Sequence, residues 1–234
     1  MTKEKIIIVG TGEWAKVTIE NVEEQNLYEI FGLTTFDDDN KNYGKIYGYE
    51  LVCKDKEIEN LIKENKDIKG YVLGVGIGID GSLLNRKKIY DKLDNFIEPI
   101  NIIHPSAIIS KRASLGKGNI VEAYSKICND TIIGNHCIIQ GFSSVNHDQF
   151  IGNNVMINCN VTLSGKKIND HSVISDGSSV GFKKNIGKNC LLMDGSVLTK
   201  DMPDDSIGYG NPAKIIKRNK NVMKMLYQKT SVNT

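Results

Sequence analysis

The chain has 234 residues, a formal net charge of +2 and 25% charged residues, the balance of an ordinary water-facing surface. That length accommodates one large domain or two small ones, and with no clustered basic face a nucleic-acid partner is not expected. No apolar stretch approaches membrane-spanning length, and four apolar residues behind a charged start are too few for a signal peptide, so a cytoplasmic protein with no membrane partner is expected.

Lys5 to Val9 reads as a short buried strand, followed by Gly10-Thr11-Gly12 and a helix over about Glu13 to Gln25. A second strand is expected near Tyr28 to Thr35, then a charged helix over about Asp55 to Asn65 and an apolar strand over Gly70 to Val75. A helix over Ser82 to Leu93 and a short strand near Pro99 to Ile103 complete the segment. Strands alternating with helices predict a small parallel sheet covered on its faces, a Rossmann-like α/β domain over residues 1–103. Gly10-x-Gly12, between a strand and a helix, has the form of a phosphate-cradling turn whose N–H groups face an anion. The third glycine is missing and Ala15 sits nearby, so a plain tight turn is an equal reading. Trp14 is the only tryptophan, and packing of the helix on its sheet is a commoner role than stacking on a ligand. The acid run Asp37 to Asp39 reads first as a solvated turn and second as a nucleotide contact.

His104-Pro105-Ser106 marks the junction, and beyond it the pattern changes. Ile109, Leu115, Val121, Ile127, Ile133, Ile139, Val145, Ile151, Ile157 and Leu163 recur at intervals of six without a miss. The period slips by one residue near Ser164, Gly165 and Lys166, then resumes from Ile168 to Leu198. Neither a 3.6-residue helix nor two-residue alternation produces a period of six. A coil of three short strands does, with one inward side chain per strand and a tight corner after each. Two residues before most inward positions stands a small residue such as Ser125, Thr131, Cys137 or Ser143. One residue after comes a run rich in Gly and Asn, including Gly116, Gly134 and Gly152, types that tolerate the positive φ of sharp corners. The prediction is a parallel β-helix over residues 104–216, with 217–234 as a tail. Its flat walls need burial against other copies.

Five cysteines without a paired short spacing predict free thiols and no metal site. Cys137 and Cys190 occupy the small-residue slot, so packing accounts for them. Of the four histidines, His136 and His171 lie three residues after an inward position and read as solvated corners. His147 lies two after Val145, between Asn146 and Asp148. Acyl transfer from a thioester to an amine or hydroxyl needs a base, and imidazole titrates near neutrality. It also needs a donor for the developing oxyanion, which a glycine N–H supplies. Gly165, one coil after His147, is a candidate for that donor, and Asp148 for orienting the ring. By spacing alone, a base and a solvated corner remain equal readings of His147.

Four motifs in order, Ile8-Val9-Gly10-Thr11-Gly12, Ile103-His104-Pro105-Ser106-Ala107, Val145-Asn146-His147-Asp148 and Gly210-Asn211-Pro212-Ala213-Lys214, resemble the NeuD/PglD family of sugar acyltransferases over about residues 5 to 217. The resemblance implies a left-handed β-helix, a homotrimer with sites between subunits, and acetyl transfer from acetyl-CoA to an amino group of a nucleotide-linked sugar. It further implies His147 as general base, flanked by Asn146 and Asp148, with Gln140 as a nearby polar amide and Gly165 donating to the thioester carbonyl. CoA would lie near Ser164, Gly165, Gly181 and Pro212, and the nucleotide on Gly10, Thr11, Gly12, Glu13 and Trp14 with Arg86 near it; no metal is implied. The basic tail, with Lys214, Lys217 and Arg218, suits CoA phosphates or a solvated face equally.

Departures from the family pattern cluster at the sugar-nucleotide side. Asn146 replaces an acid before the histidine, and Met156 stands where a second histidine is common. Glu13-Trp14 replaces a Gly-His pair, and Thr34-Thr35 stands in place of paired acids. The expected product is a 4-amino-4,6-dideoxy sugar acetylated on nitrogen, for surface-glycan synthesis. The rivals are an O-acetyltransferase of a sialic-acid-like sugar and a non-catalytic nucleotide-sugar-binding protein. A prism-shaped carbonic anhydrase needs three histidine ligands, which the spacing of His136, His147 and His171 does not suit.

Overall fold

A computed structural model describes residues 3–36, 44–77 and 83–217. The first segment of structure is β1 (Glu4–Val9), whose Ile-Ile-Ile-Val run is buried throughout, as a central parallel strand requires. Then follow α1 (Glu13–Gln25), β2 (Tyr28–Thr35), a hairpin of β3 (Lys45–Ile46) and β4 (Tyr49–Lys54), and a 3-10 turn running into α2 (Ile58–Glu64). The domain closes with β5 (Ile68–Leu73), α3 (Leu84–Leu93) and β6 (Glu98–Pro99). The sheet order is β3-β4-β2-β1-β5-β6, parallel except for the β3–β4 hairpin. Strand β4 has no counterpart in the sequence reading; among the described residues no helix lies between β2 and β4, so the strand–helix alternation used there passes over it. The order reverses at β1, which has β2 on one side and β5 on the other, and Gly10 stands at its carboxyl end. That is the switch point where open α/β sheets bind ligands.

Ile102–Ile103, expected to finish the N-terminal sheet, instead pairs with Ile120–Val121 and opens the prism. From there the chain winds as a left-handed parallel β-helix of two-residue strands on three faces. Face one carries Ile120–Val121, Ile138–Ile139 and their successors; face two carries Lys126–Ile127 and Ser144–Val145; face three carries Ile132–Ile133 and Phe150–Ile151. Partners are eighteen residues apart up to the slip (Ser144 with Thr162) and seventeen across it (Thr162 with Ser179), so one corner loses a residue and every face stays in register. The inward column Val121, Ile139, Ile157, Ile174 and Leu192 is completely buried. The last strands, Ser206–Tyr209 and Lys214–Lys217, form an antiparallel pair that closes the end of face one.

The corners turn differently from the sequence expectation. Positive φ falls three residues after the inward position, at Tyr124, Asp130, His136, Phe142, Asp148 and Asn154, rather than at the glycines one residue after it. Those glycines are selected by close approach: a Cβ on Gly134 would meet Asn153 Oδ1 at 2.6 Å and the Gly152 carbonyl at 2.8 Å. The space they leave lets Asn153 Oδ1 accept from the Asn135 N–H at 2.9 Å and Asp170 Oδ1 from the Asn153 N–H at 2.8 Å. The small residues also satisfy backbone groups. Thr131 and Ser172 hydroxyls donate to the Asn146 and Gly187 carbonyls, both at 2.8 Å, and Cys137 Sγ donates to the Gly152 carbonyl at 3.1 Å. All five cysteines are free thiols.

Outward side chains separate the faces. Ile120, Ile138, Met156, Val173 and Leu191 on face one are buried in one apolar cluster with Ile8, Ala15, Ile19 and Leu33 of the N-terminal domain. Face three presents Ile132 and Phe150 to solvent, and face two presents Ile108. The domain thus covers one wall of the prism, and Met156, at the position the family pattern gives to a histidine, belongs to that wall. Among the described residues, no helix is long and apolar enough to cross a membrane.

Candidate active site

His147 stands on the edge between faces two and three. Its side chain is 62% exposed, and Nδ1 lies 2.6 Å from Asp148 Oδ2. Asp148 occupies the positive-φ corner, which swings its carboxylate back toward the ring. With Nδ1 engaged, Nε2 has no partner among the described residues. Asn146 is tied into the prism: its Nδ2 donates to Ser164 Oγ at 2.9 Å, its N–H to the Leu163 carbonyl at 3.0 Å, and its carbonyl accepts from Thr131.

Ser144–Val145 pairs with Thr162–Leu163, which pairs with Ser179–Val180. Gly165 therefore sits one coil above His147, and Ser164 and Gly181 continue the column above Asn146. Gly165 is buried, and its N–H has no protein acceptor among the described residues. A Cβ there would meet the Lys184 carbonyl at 2.8 Å and Val180 Cγ1 at 3.0 Å, so the shortened corner admits only glycine without a shift. One edge thus gathers Asn146, His147, Asp148, Ser164, Gly165 and Gly181. Among the described residues, no group of three or more His, Cys, Asp or Glu side chains is arranged to hold a metal ion.

The other expected residues lie elsewhere. Pro212 is in the exposed turn between the last two strands, where Ala213 N–H donates to the Val197 carbonyl at 2.8 Å. Gln140 is on the edge between faces one and two, beside Glu122, so within one chain it is a different edge from that of His147. Glu122 is largely withdrawn from water, which pushes its carboxyl up, while the Gly141 N–H (3.2 Å) and Gln140 hold it back. Gly10 (φ +118°) ends β1, and a side chain there would strike Val75 Cγ2 at 2.8 Å and the Gly74 carbonyl at 2.9 Å. Gly12 precedes the first turn of α1 with no side-chain cap, and Thr11 and Glu13 border it. Trp14 lies flat on Gly76, at 1.8 Å from where a Cβ would be, which makes it a packing residue on the strand side.

Arg86, expected near the nucleotide, is only 1% exposed. Its Nε donates to Asn154 Oδ1 at 3.1 Å, its Nη2 to the His136 carbonyl at 3.0 Å, and a third N–H to the Val75 carbonyl. Burial pulls its pKa down to about 10, so the group is charged near neutrality. His136 is not a solvated corner. It is 2% exposed, stacked on Tyr90 at 4.1 Å and 7°, with Nε2 2.8 Å from Asp94 Oδ2. Its Nδ1 has no partner among the described residues and lies against Gly118, and burial lowers its pKa despite the neighbouring carboxylate. His171 is half-buried, with Nδ1 3.2 Å from Asn154 Nδ2, and its pKa is also lowered by desolvation. Asp37 to Asp39 and Arg218 lie outside the described residues.

Residues 5–93 match the family described as the PglD N-terminal domain. The acetyltransferase domain of PglB from Neisseria gonorrhoeae, solved with acetyl coenzyme A, superposes with a TM-score of 0.81 over 92% of this chain and 100% of that one, at 22% identity. Residues 5–93 are similar to the PglD N-terminal domain, and the fold of the whole chain is that of these acetyltransferases. PerB from Caulobacter crescentus, solved with CoA and GDP-perosamine, aligns at a TM-score of 0.70 and 25% identity over 91% of this chain and 97% of that one. WeeI from Acinetobacter baumannii aligns at 0.58 and 21% over 91% and 100%. Among curated proteins, YJL218W of Saccharomyces cerevisiae, an acetyltransferase by its given name, is 39% identical over 51 residues. That match spans 22% of this chain and 26% of the yeast protein's length.

Proposed function

We propose that the protein transfers acetyl from acetyl-CoA to the amino group of a nucleotide-linked amino sugar, a 4-amino-4,6-dideoxy hexose. The observation that carries the reading is the His147–Asp148 pair at 2.6 Å with the unpartnered N–H of Gly165 one coil above it. The solved relatives bound to acetyl coenzyme A, or to CoA and GDP-perosamine, support the choice of donor and acceptor class.

In this mechanism the Asp148 carboxylate holds Nδ1, which directs the Nε2 lone pair to the acceptor. Nε2 takes a proton as the sugar nitrogen bonds to the thioester carbonyl carbon. The carbonyl oxygen gains negative charge and receives the Gly165 N–H. When the tetrahedral adduct collapses, the C–S bond breaks and the CoA sulfur takes the proton back from His147, so the base is regenerated. Ser164 and Gly181 line the CoA path along the same edge, with Pro212 at its exit. The nucleotide occupies the Gly10 to Trp14 turn, where the start of α1 presents its N–H groups.

Exposure of His147 on an open edge fits a site completed by a second copy. Apolar Tyr124, Phe142, Ile132 and Phe150 lie exposed on the uncovered walls and edges, and three copies would cover them around one axis. Gln140 and Glu122, on another edge, would then come from the neighbouring protomer. The kinetic test pairs two variants. His147→Ala should lower kcat by about 10²- to 10⁴-fold with KM nearly unchanged. Gly165→Ala, which shifts the corner and its N–H, should lower kcat by about 10²-fold or more. Near-normal turnover by His147→Ala removes the base from the mechanism.

A further inference from the structure

Arg86 joins the segment after β5 to two adjacent coils of the prism, pieces of chain that no strand pairing connects. On the prism side it holds the backbone carbonyl of His136 and the side-chain oxygen of Asn154, both at positive-φ corners of the edge between faces three and one. On the other side it holds the Val75 carbonyl, just past the end of β5. Asn154 completes the clasp, since its Nδ2 donates to the Leu83 carbonyl at 3.0 Å, immediately ahead of α3. Both side chains are fully buried, so each bond is made away from competing water.

The segment that Arg86 grips is the backing of the Gly10 turn. The Gly74 N–H donates to the Val9 carbonyl at 2.9 Å. A Cβ on Gly10 would meet the Val75 side chain, one on Gly74 would meet Ala15 Cα at 2.9 Å, and one on Gly76 would meet the Trp14 ring. Three residues on one side of β1 thus form a closely fitted wall for Gly10 to Ala15. A displacement of Val75 moves that wall and the turn with it, because there is no slack between them.

From this geometry we infer that Arg86 is a positioning residue: a buried strut that fixes the Gly10–Trp14 turn at a set distance from the prism by holding Val75 against the corners of His136 and Asn154. The consequence for catalysis rests on the function proposed above. The acceptor would be held by its nucleotide on one domain while its amine reacts at an edge of another. The spacing between the two must then be rigid, and an error of about 1 Å in such an arrangement costs about 10²-fold. Acetyl-CoA, lying along the prism alone, does not depend on that spacing. A planar guanidinium reaches three acceptors that diverge in space; an ammonium on the same stem is a single point and does not.

The test uses Arg86→Lys and Asn154→Gly in the full chain. Glycine at 154 keeps the positive-φ corner and deletes the clasp together with the Nδ2 contact to His171. For both variants the acceptor KM should rise about tenfold or more while the acetyl-CoA KM stays within about twofold. Trp14, the only tryptophan, should become more open to acrylamide quenching, with far-UV circular dichroism unchanged. A role confined to stability would lower the melting temperature of both variants and leave the ratio of the two KM values and the Trp14 quenching as in the wild type; that result overturns the strut. The quenching arm needs no turnover. A wild type inactive on every nucleotide sugar would therefore count against the proposed function, while the Trp14 comparison would still decide for or against Arg86.

Discussion

Two edges of the prism have the same backbone and opposite fates. At the edge between faces two and three, Asp130 and Asp148 take the positive-φ corner and His147 stands in water beside them. At the edge between faces three and one, His136, Asn154 and His171 take the same corner, yet Asn154 and His136 are buried. The difference arises outside the repeat. Helix α3 lies over the second edge and supplies Arg86, Tyr90 and, just beyond its end, Asp94, which turn exposed corner positions into an interdomain seam. A periodic scaffold assigns a residue its place in the coil; the neighbour that covers the edge assigns its chemistry.

The strongest way to break this contrast is to make the same change on each edge. His147→Ala should remove about 10²- to 10⁴-fold of kcat with little change in melting temperature, because the side chain is exposed and packs on little. His136→Ala should do the reverse. It deletes a buried ring stacked on Tyr90 and leaves Asp94 with the Tyr71 hydroxyl but without the imidazole, at a cost of about 2 to 4 kcal/mol by denaturant unfolding, with kcat of the folded fraction retained. If the two variants lose activity and stability in the same proportion, the edges are not functionally distinct.

Solution pH sharpens the contrast with a smaller effect. Desolvation lowers the folded-state pKa of His136 and, less buried, His171 from the ordinary 6.5. As pH falls below 6.5, the unfolded chain takes up these protons while the folded chain still refuses them. The unfolded state is then favoured, so stability present above pH 6.5 declines with acidification until the folded imidazoles also titrate. Thermal melts between about pH 5 and 8 should show that decline, and His136→Asn should flatten it. A wild-type melting temperature that rises on acidification through this range contradicts a neutral, buried His136.

The smallest effect concerns the corner itself. Lys183 carries φ +58° on the exposed edge, a conformation that costs a residue with a Cβ roughly 1 kcal/mol. Lys183→Gly should raise stability by a few tenths of a kcal/mol up to about 1 kcal/mol, measured by urea midpoint. A loss of stability would mean that Lys183 makes a contact worth more than the strain.

Most of the scaffold was legible because it repeats. The period of six placed each inward residue, and the slip after Leu163 marked the corner that carries Gly165. The small-residue slot was visible, although its work, hydroxyl and thiol donation to a carbonyl in the next coil, was not. The glycines were legible as corner signals and misassigned in mechanism, since Asn and Asp tolerate positive φ well enough to leave glycine for close approach. His147, Asp148 and Gly165 share one edge by register, but position in the frame left His147 equally a base or a solvated corner, and only the resemblance implied its role. Arg86 was expected near the Gly10 turn, but its hydrogen bonds to the prism were not foreseen. Nothing local in Leu84 to Leu93 tells that this helix meets a corner about seventy residues later in the chain, and one hydrophilic helix face looks like another until the prism is docked on it. Strand β4 was missed for a related reason: among the described residues it follows the β3 hairpin, with no helix to flag its parallel pairing with β2.

The central claim, a histidine on an open prism edge acting on a sugar held by the other domain, is tested most directly by thiol release from acetyl-CoA. The acceptors would be UDP-, dTDP- and GDP-linked 4-amino sugars, with CMP-linked and free sialic acid as hydroxyl controls. The account predicts fast release with one amino sugar, abolished in His147→Ala. Release only with the hydroxyl controls would contradict the nitrogen acceptor, and no release with any acceptor, together with no binding of acetyl-CoA, would contradict the transferase itself.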